Sequence, residues 1–432
     1  MSKQLKSYLS ADFNGQVKPL LFKTLKPIES CPAQALFEDL SKQHNAILQA
    51  QPANTITAQN KSIAILFSGG PAPGGHNVIC AVAKLCELTN STLYGVENGP
   101  GGLIKGDLRI LSSKECDAYF DAGGFHLLGT DRTKIKTEQQ YKAIEAVVKR
   151  YSLDGIIIIG GDDSNTNAVF LAQRLLPLNC AVVGVPKTID GDLKAPPYLP
   201  ISFGFHTAVN CYATLVETLV RDTKSVKKYW HIVKLMGRHR GYVADAVAKQ
   251  AKPDLCITGE FVKQQNMNFS ELIDYIEQFI VSSIQDKNKN YGVICLAEGL
   301  LEWLDTDDLS TIISGDISYD SHGNVELSLI QLELVIMEAL SERLTARLGP
   351  DVFKALPHFY GYEGRCVKPN AFDASYTTRL GLVAVSLVFE GITGYLAACD
   401  GAGEHAKYYA LPIWMLLHEE ERQGAMHWVI KK

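Results

Sequence analysis

Ile156-Ile157-Ile158-Ile159-Gly160-Gly161-Asp162-Asp163-Ser164 decides how this chain is read, together with Pro186-Lys187-Thr188-Ile189-Asp190-Gly191-Asp192 further on. Each follows an apolar β-type run, residues 155–159 and 181–185, and each breaks into a turn dense in carboxylates. Strands buried on both faces read as continuous Val/Ile runs, and in parallel sheets ligands sit beyond their carboxyl ends. The two turns are therefore expected to converge on one crevice, bringing four aspartates and a lysine together. Such a set suits a magnesium-bound polyphosphate and a hydroxyl that must lose its proton.

Outward from these turns, strand, glycine turn and helix alternate. Residues 63–67 read as a strand, 68–75 as a loop with four glycines and two prolines, and 77–89 as a helix. A strand at 94–96 and helices at 137–150 and 165–175 complete a first lobe. A second cycle has helices at 208–219, 241–249 and 268–284, with strands at 230–235, 255–257 and 291–297. Alternation of this kind implies parallel sheets covered on both faces. The fold expected is α/β: two Rossmann-like lobes with mainly parallel sheets and a cleft between them, plus a helical N-terminal arm. The boundaries expected are 1–60 for the arm, 61–200 for the first lobe and 201–330 for the second. Parts of 330–390 are expected to complete the first lobe and parts of 390–432 the second. Long helices are expected at 327–348 and 379–389, and a helix at 32–51 with Leu36, Leu40, Ile47 and Leu48 on one face.

Composition bounds the class. The 432 residues are 46% hydrophobic and 21% charged, as in a soluble globular enzyme of two or more domains. A net charge of -5 argues against broad nucleic-acid binding. The ten cysteines form no Cys-x-x-Cys pair and several lie in apolar runs, which suits small buried residues in a reducing compartment. The first residues lack a hydrophobic signal core, and no run approaches the roughly 18 apolar residues of a membrane helix. A cytoplasmic location, with no membrane partner, is the default expectation.

Each chemical segment has a plain structural alternative. The loop Ser68-Gly69-Gly70-Pro71-Ala72-Pro73-Gly74-Gly75 could bring backbone N–H groups to an anion at a helix start, or could be a tight turn with no ligand. It is not a Walker A loop, because no Gly-Lys-Ser/Thr closes it. Nor does a dinucleotide fingerprint follow the first strand. Asp162 and Asp163 could cap a helix, yet one cap needs one carboxylate. One carboxylate together with phosphate oxygens suits Mg²⁺ better. Lys187, Thr188, Asp190 and Asp192 form either a solvated Asp-Gly turn or a general base beside a cation that neutralises transferring phosphoryl oxygens. Arg238 and Arg240, in Met236-Gly237-Arg238-His239-Arg240-Gly241, suit bidentate phosphate recognition or surface ion pairing. Glu298 ends an apolar run, where it could bind sugar hydroxyls; Tyr362-Glu363-Gly364-Arg365 and Arg132 are further candidates.

Taken in order, these motifs resemble the phosphofructokinase family over residues 61–400, and most closely its diphosphate-dependent branch. The resemblance implies transfer of a phosphoryl group from diphosphate to the 1-hydroxyl of fructose 6-phosphate, reversibly, with Mg²⁺, in glycolysis and gluconeogenesis. It implies Asp190 as proton acceptor, Lys187 as transition-state stabiliser and Asp162 as metal ligand. Gly70 would meet the diphosphate, with Arg132 facing phosphate. Thr188, Ile189, Asp190, Met236, Gly237, Arg238 and Glu298 would meet the sugar phosphate, and Tyr362, Glu363, Gly364 and Arg365 its 6-phosphate. Lys228 and Tyr229 would reach a neighbouring subunit's substrate, so a homodimer or homotetramer with a shared site is implied.

The resemblance also addresses the donor. ATP-using members carry glycine at the positions of Asp163 and Lys187. A carboxylate at 163 puts volume and negative charge where a nucleotide's α-phosphate would lie, while Lys187 adds a cation for the leaving phosphate. Pro71 replaces an aspartate of the ATP branch. The rival readings are an ATP-dependent phosphofructokinase and a non-catalytic regulatory subunit on the same fold, although such subunits usually lose a carboxylate that is present here.

Overall fold

In the computed structural model, which describes residues 16–28, 31–43, 45–238, 240–304, 329–422 and 425–430, the apolar runs become the interior of two sheets. The chain forms β1 (Leu20–Pro27), β2 (Ala46–Pro52), β3 (Ser62–Phe67), β4 (Thr92–Val96), β5 (Leu108–Ile110), β6 (Gly155–Gly160), β7 (Ala181–Thr188) and β8 (Phe203–Gly204). Then come β9 (Trp230–Leu235), β10 (Leu255–Ile257), β11 (Gly292–Ala297) and β12 (Ala355–Tyr360). Last are β13 (Tyr395–Cys399), β14 (Tyr408–Pro412) and the pair β15 (Leu417–Arg422) and β16 (Ala425–Ile430). The chain divides into two compact units, Met1–Thr207 with Arg365–Lys432, and Ala208–Gly364. It passes from one to the other inside two helices, Phe205–Val226 and Tyr362–Cys366.

The first unit is built on a ten-stranded sheet, ordered β1-β2-β14-β13-β7-β6-β3-β4-β5 with β8 beside β7. Its middle, from β13 to β4, is parallel, and both margins are antiparallel. β6 is buried along its whole length and β7 along all but its last residue, which is why both read as unbroken apolar runs. The helix Ala371–Phe389, buried from Asp373 to Val388, packs on β7 and β13 and against the helix Gly75–Leu88. The chain leaves β3 for β4 on one side and returns as β6 on the other. Loops that diverge in this way leave a crevice at the strands' carboxyl ends, where open α/β sheets bind ligands.

The second unit has four parallel strands, ordered β10-β11-β9-β12. Trp230, Ile232 and Leu296 pack with Ile276, Ile280, Ile336 and Leu340 of the helices Phe269–Lys287 and Leu332–Leu348. Each such burial contributes about 2 kcal/mol relative to exposure. The Asn268 side chain accepts a hydrogen bond from Glu271 N–H, and the Glu271 carboxylate accepts one from Asn268 N–H, so the first of these helices starts where its sequence announces it.

Three expectations are corrected. Residues 20–52 are not a helical arm: β1 and β2 extend the large sheet, and among the described residues of this stretch only Pro32–Phe37 (3₁₀) and Glu38–Gln43 (α) are helical. Ile47 and Leu48 instead lie on β2, which pairs with β1 and β14; cross-strand pairing overrides a local helical spacing. Residues 395–412 do not complete the second unit, because β13 enters the first sheet in parallel beside β7. The division falls within the helix Phe205–Val226 and not at residue 200. The helix expected at 327–348 begins at Leu332, and residues 327–328 lie outside the described residues. All ten cysteines are free, and among the described residues no helix is long and apolar enough to cross a membrane.

Asn165 ties β6 to the turn that follows it. Its Nδ2 donates to the carbonyls of Gly160, at 2.7 Å, and Gly161, at 2.8 Å. A Cβ on Gly184 in the neighbouring strand would stand 2.0 Å from Asn165 Oδ1. Gly184→Ala must displace that amide, so the melting temperature is expected to fall by several degrees in a thermal-shift assay, about what loss of 2 kcal/mol produces. An unchanged melting temperature would show that the turn does not depend on Asn165.

Candidate active site

Three loops of the first unit leave the carboxyl ends of β3, β6 and β7. The first begins at Ser68, whose N–H donates to Ile159 O at 2.9 Å and whose hydroxyl pairs with Ser164 Oγ at 2.8 Å. Gly69 turns with φ +81°, a conformation that favours glycine. Its N–H donates to Asp131 O at 2.8 Å, and its carbonyl accepts from Thr130 Oγ1 at 2.8 Å. The segment carrying Arg132 is thereby laced to the glycine loop. At Gly70 the need is close approach: a Cβ there would stand 2.2 Å from Arg365 Nη2, so the guanidinium lies flush on the bare backbone.

The second loop opens the helix Asp162–Leu175, with Asp162 and Asp163 in its first turn. Gly161 is the N-cap, so the cap position itself carries no side chain and both carboxylates follow it inside the helix. Both are half-buried where the helix dipole favours anionic groups. The third loop follows Thr188. Its hydroxyl accepts from Asp190 N–H at 3.1 Å and its carbonyl from Ser202 Oγ at 3.0 Å, which shapes the turn that presents Asp190.

Lys187 brings these loops together. It is 6% exposed, and its Nζ lies 3.4 Å from where a Cβ of Gly69 would stand. Burial pushes its ammonium down to about 8; Arg365 and then Arg132 push the same way, while Asp162 and Asp190 oppose them. One lysine, two arginines and two carboxylates thus share an electrostatic environment inside a single unit.

The second unit gathers another group of candidates. Met236 N–H donates to Tyr360 O at 3.0 Å, and Gly237 N–H donates to a carboxylate oxygen of Glu298 at 3.2 Å. Gly361 N–H donates to Glu363 Oε2 at 2.9 Å, and the Tyr212 hydroxyl donates to Gly361 O. Met236, Gly237, Arg238, Glu298, Tyr362, Glu363 and Gly364 therefore cluster at the carboxyl ends of β9, β11 and β12. Lys228 and Tyr229 are not with them: both are exposed and precede β9, about 20 Å away along a six-residue strand. Arg365 belongs with the first unit and touches Gly70, a placement that motif order did not reveal. Tyr212 was missed because on its helix it has the spacing of an ordinary core residue.

Switch-point loops holding a buried lysine, arginines and paired carboxylates define an α/β enzyme of the phosphoryl-transfer type. The phosphofructokinase family pattern matches residues 62–388. The chain belongs to the phosphofructokinase family. It is 35% identical, over 86% of its length and 74% of the relative's, to a pyrophosphate–fructose 6-phosphate 1-phosphotransferase of Treponema pallidum. With the Porphyromonas gingivalis protein of the same description it shares 34% identity over 86% of this chain and 77% of the other. The crystal structure of a pyrophosphate-dependent phosphofructokinase from Marinobacter aquaeolei has the same fold, with a TM-score of 0.62 at 20% identity over 82% of this chain and 83% of that one.

The state of Lys187 yields a test. An oxyanion favours the ammonium, and without a bound anion's help that form is lost as pH rises through about 8, below the ordinary lysine value of 10.5. Sulfate keeps its charge across this range. Its affinity, measured by calorimetry, is expected to fall between pH 7 and 9.5, with proton uptake on binding above pH 8. In Lys187→Met the pH dependence should vanish; if it persists, another group is responsible.

Proposed function

We infer that the protein transfers a phosphoryl group between diphosphate and fructose 6-phosphate, giving fructose 1,6-bisphosphate and phosphate in either direction. The observation that carries this reading is the buried Lys187 ammonium, grouped with Arg365, Arg132, Asp162 and Asp190 beside Gly69 and Gly70. A compact polyanion is the ligand such a cluster suits. Asp163, next to the metal-ligand candidate Asp162, adds negative charge that disfavours a nucleotide's longer phosphate chain.

Asp190 takes the proton of the sugar 1-hydroxyl. That oxygen attacks the nearer phosphorus of diphosphate, and the bridging P–O bond breaks to release phosphate. Lys187 and the arginines stabilise the charge that spreads onto the transferring and leaving oxygens. Thr188, Ile189, Met236, Gly237, Arg238, Glu298 and residues 362–365 bind and orient the sugar phosphate. Lys228 and Tyr229, exposed and remote from the rest, serve a neighbouring subunit of a homodimer or homotetramer. Similar phosphoryl potential on the two sides lets the enzyme work in glycolysis and gluconeogenesis, in the cytoplasm.

The donor set fits Mg²⁺. Among the described residues no group of three or more His, Cys, Asp or Glu forms a ready-made metal site. Mg²⁺ commonly binds through one or two carboxylates plus substrate phosphates, which Asp162 and diphosphate together would provide. When bound, Mg²⁺ neutralises diphosphate oxygens and lowers the cost of their charge.

Parallel assays with diphosphate and ATP test the reading: turnover with diphosphate and none with ATP is expected, and the reverse would sink it. Asp190→Ala should lower kcat by about a thousandfold with little change in sugar binding. Asp163→Gly should admit some ATP, and adding Lys187→Gly should depress the diphosphate reaction. Unchanged donor choice in both would remove the specificity argument.

A further inference from the structure

We propose that His76 and Asn77 are positioning residues for the reaction inferred above: through the segment 121–127 they hold Arg132 and Arg365 on the glycine loop. The proposal rests on that functional reading. Both residues lie in the first turn of the helix Gly75–Leu88 and are fully buried.

Asn77 and Asp121 bond reciprocally. Asn77 Nδ2 donates to Asp121 Oδ1 at 2.8 Å, and Asp121 N–H donates to Asn77 Oδ1 at 2.8 Å. Asp121 is itself 7% exposed and sits at φ +59°, so the chain is pinned where it turns against its own preference. His76 grips the next residues: Nδ1 lies 3.1 Å from Ala122 O, and Nε2 accepts from Leu127 N–H at 3.4 Å. This pattern requires a neutral ring with the proton on Nδ1. Burial keeps it neutral by pushing the imidazole down to about 4. Phe125, between these anchors, stacks on Phe67 of β3 with centroids 3.8 Å apart.

The pinned segment reaches both arginines. Downstream, Thr130 and Asp131 bond the backbone of Gly69, and Arg132 follows directly. Sideways, a Cβ on Gly123 would stand 1.8 Å from Cys366 O and 2.6 Å from Val367 O, so the segment's backbone lies against the residues just after Arg365. Arg365 in turn covers Gly70. One buried anchor thus sets two cations that reach the site from distant parts of the chain. A displacement of about 1 Å in such groups can cost up to a hundredfold in rate.

Charge exchange within the pair tests this. Asn77→Asp sets a second carboxylate against Asp121; the double variant with Asp121→Asn restores both hydrogen bonds with donor and acceptor side chains exchanged. Cys86→Ala, a buried change on the same helix, controls for destabilisation alone. All are assayed with diphosphate and fructose 6-phosphate, well below each melting temperature. Asn77→Asp should lose at least about tenfold in kcat and the double variant should recover to within about threefold, while Cys86→Ala keeps its kcat. If Asn77→Asp does not fold, Asn77→Ser replaces the single variant with the same loss in kcat expected, and the exchanged double variant keeps its own criterion. A folded single variant with wild-type kcat, or a folded double variant that stays low, overturns the proposal alone. A wild type inert towards diphosphate overturns the functional reading as well.

Discussion

An ammonium held out of water beside two guanidinium groups is the constraint on which this site depends. Removing Lys187 from solvent disfavours its charge, and Arg365 and Arg132 disfavour it further. Asp162 and Asp190 offset only part of this. A bound polyanion relieves the unfavourable interaction, so the fold itself organises these cations around the charge they receive. Such preorganisation lets fixed dipoles and cations act on developing charge without rearranging at the moment of reaction.

That arrangement needs a backbone able to approach without side chains in the way. Glycine at 70 leaves room for a guanidinium, and the reversal of strand order at β3 opens the crevice in which it lies. The helix Ala371–Phe389, which returns from the far end of the chain, packs on β7 and β13 of the surrounding sheet. The second unit uses the same logic on a smaller sheet, collecting its polar groups at the carboxyl ends of β9, β11 and β12.

Much of this was legible in the residues. The central strands announced themselves because a strand buried on both faces holds mostly apolar residues, as 155–159 and 181–185 do. The carboxylate turns were legible because the chain places them directly after those strands. The edge strands were not. Residues 46–52 are half apolar with a spacing that suits either a helix or a strand, and only pairing with β1 and β14 makes them β. Residues 395–412 fell to the wrong unit for a related reason: nothing local states which sheet a strand will join.

The sequence by itself determined the α/β class, the order of the chemical turns and the identities of Lys187, Asp162, Asp163 and Asp190, because local periodicity and residue chemistry carry that information. Only the tertiary structure decided that Arg365, some 295 positions after Gly70, lies on that glycine, and that residues 121–127 connect it to Arg132. Contacts between distant segments depend on which strands become neighbours, and that is settled by packing the whole core at once.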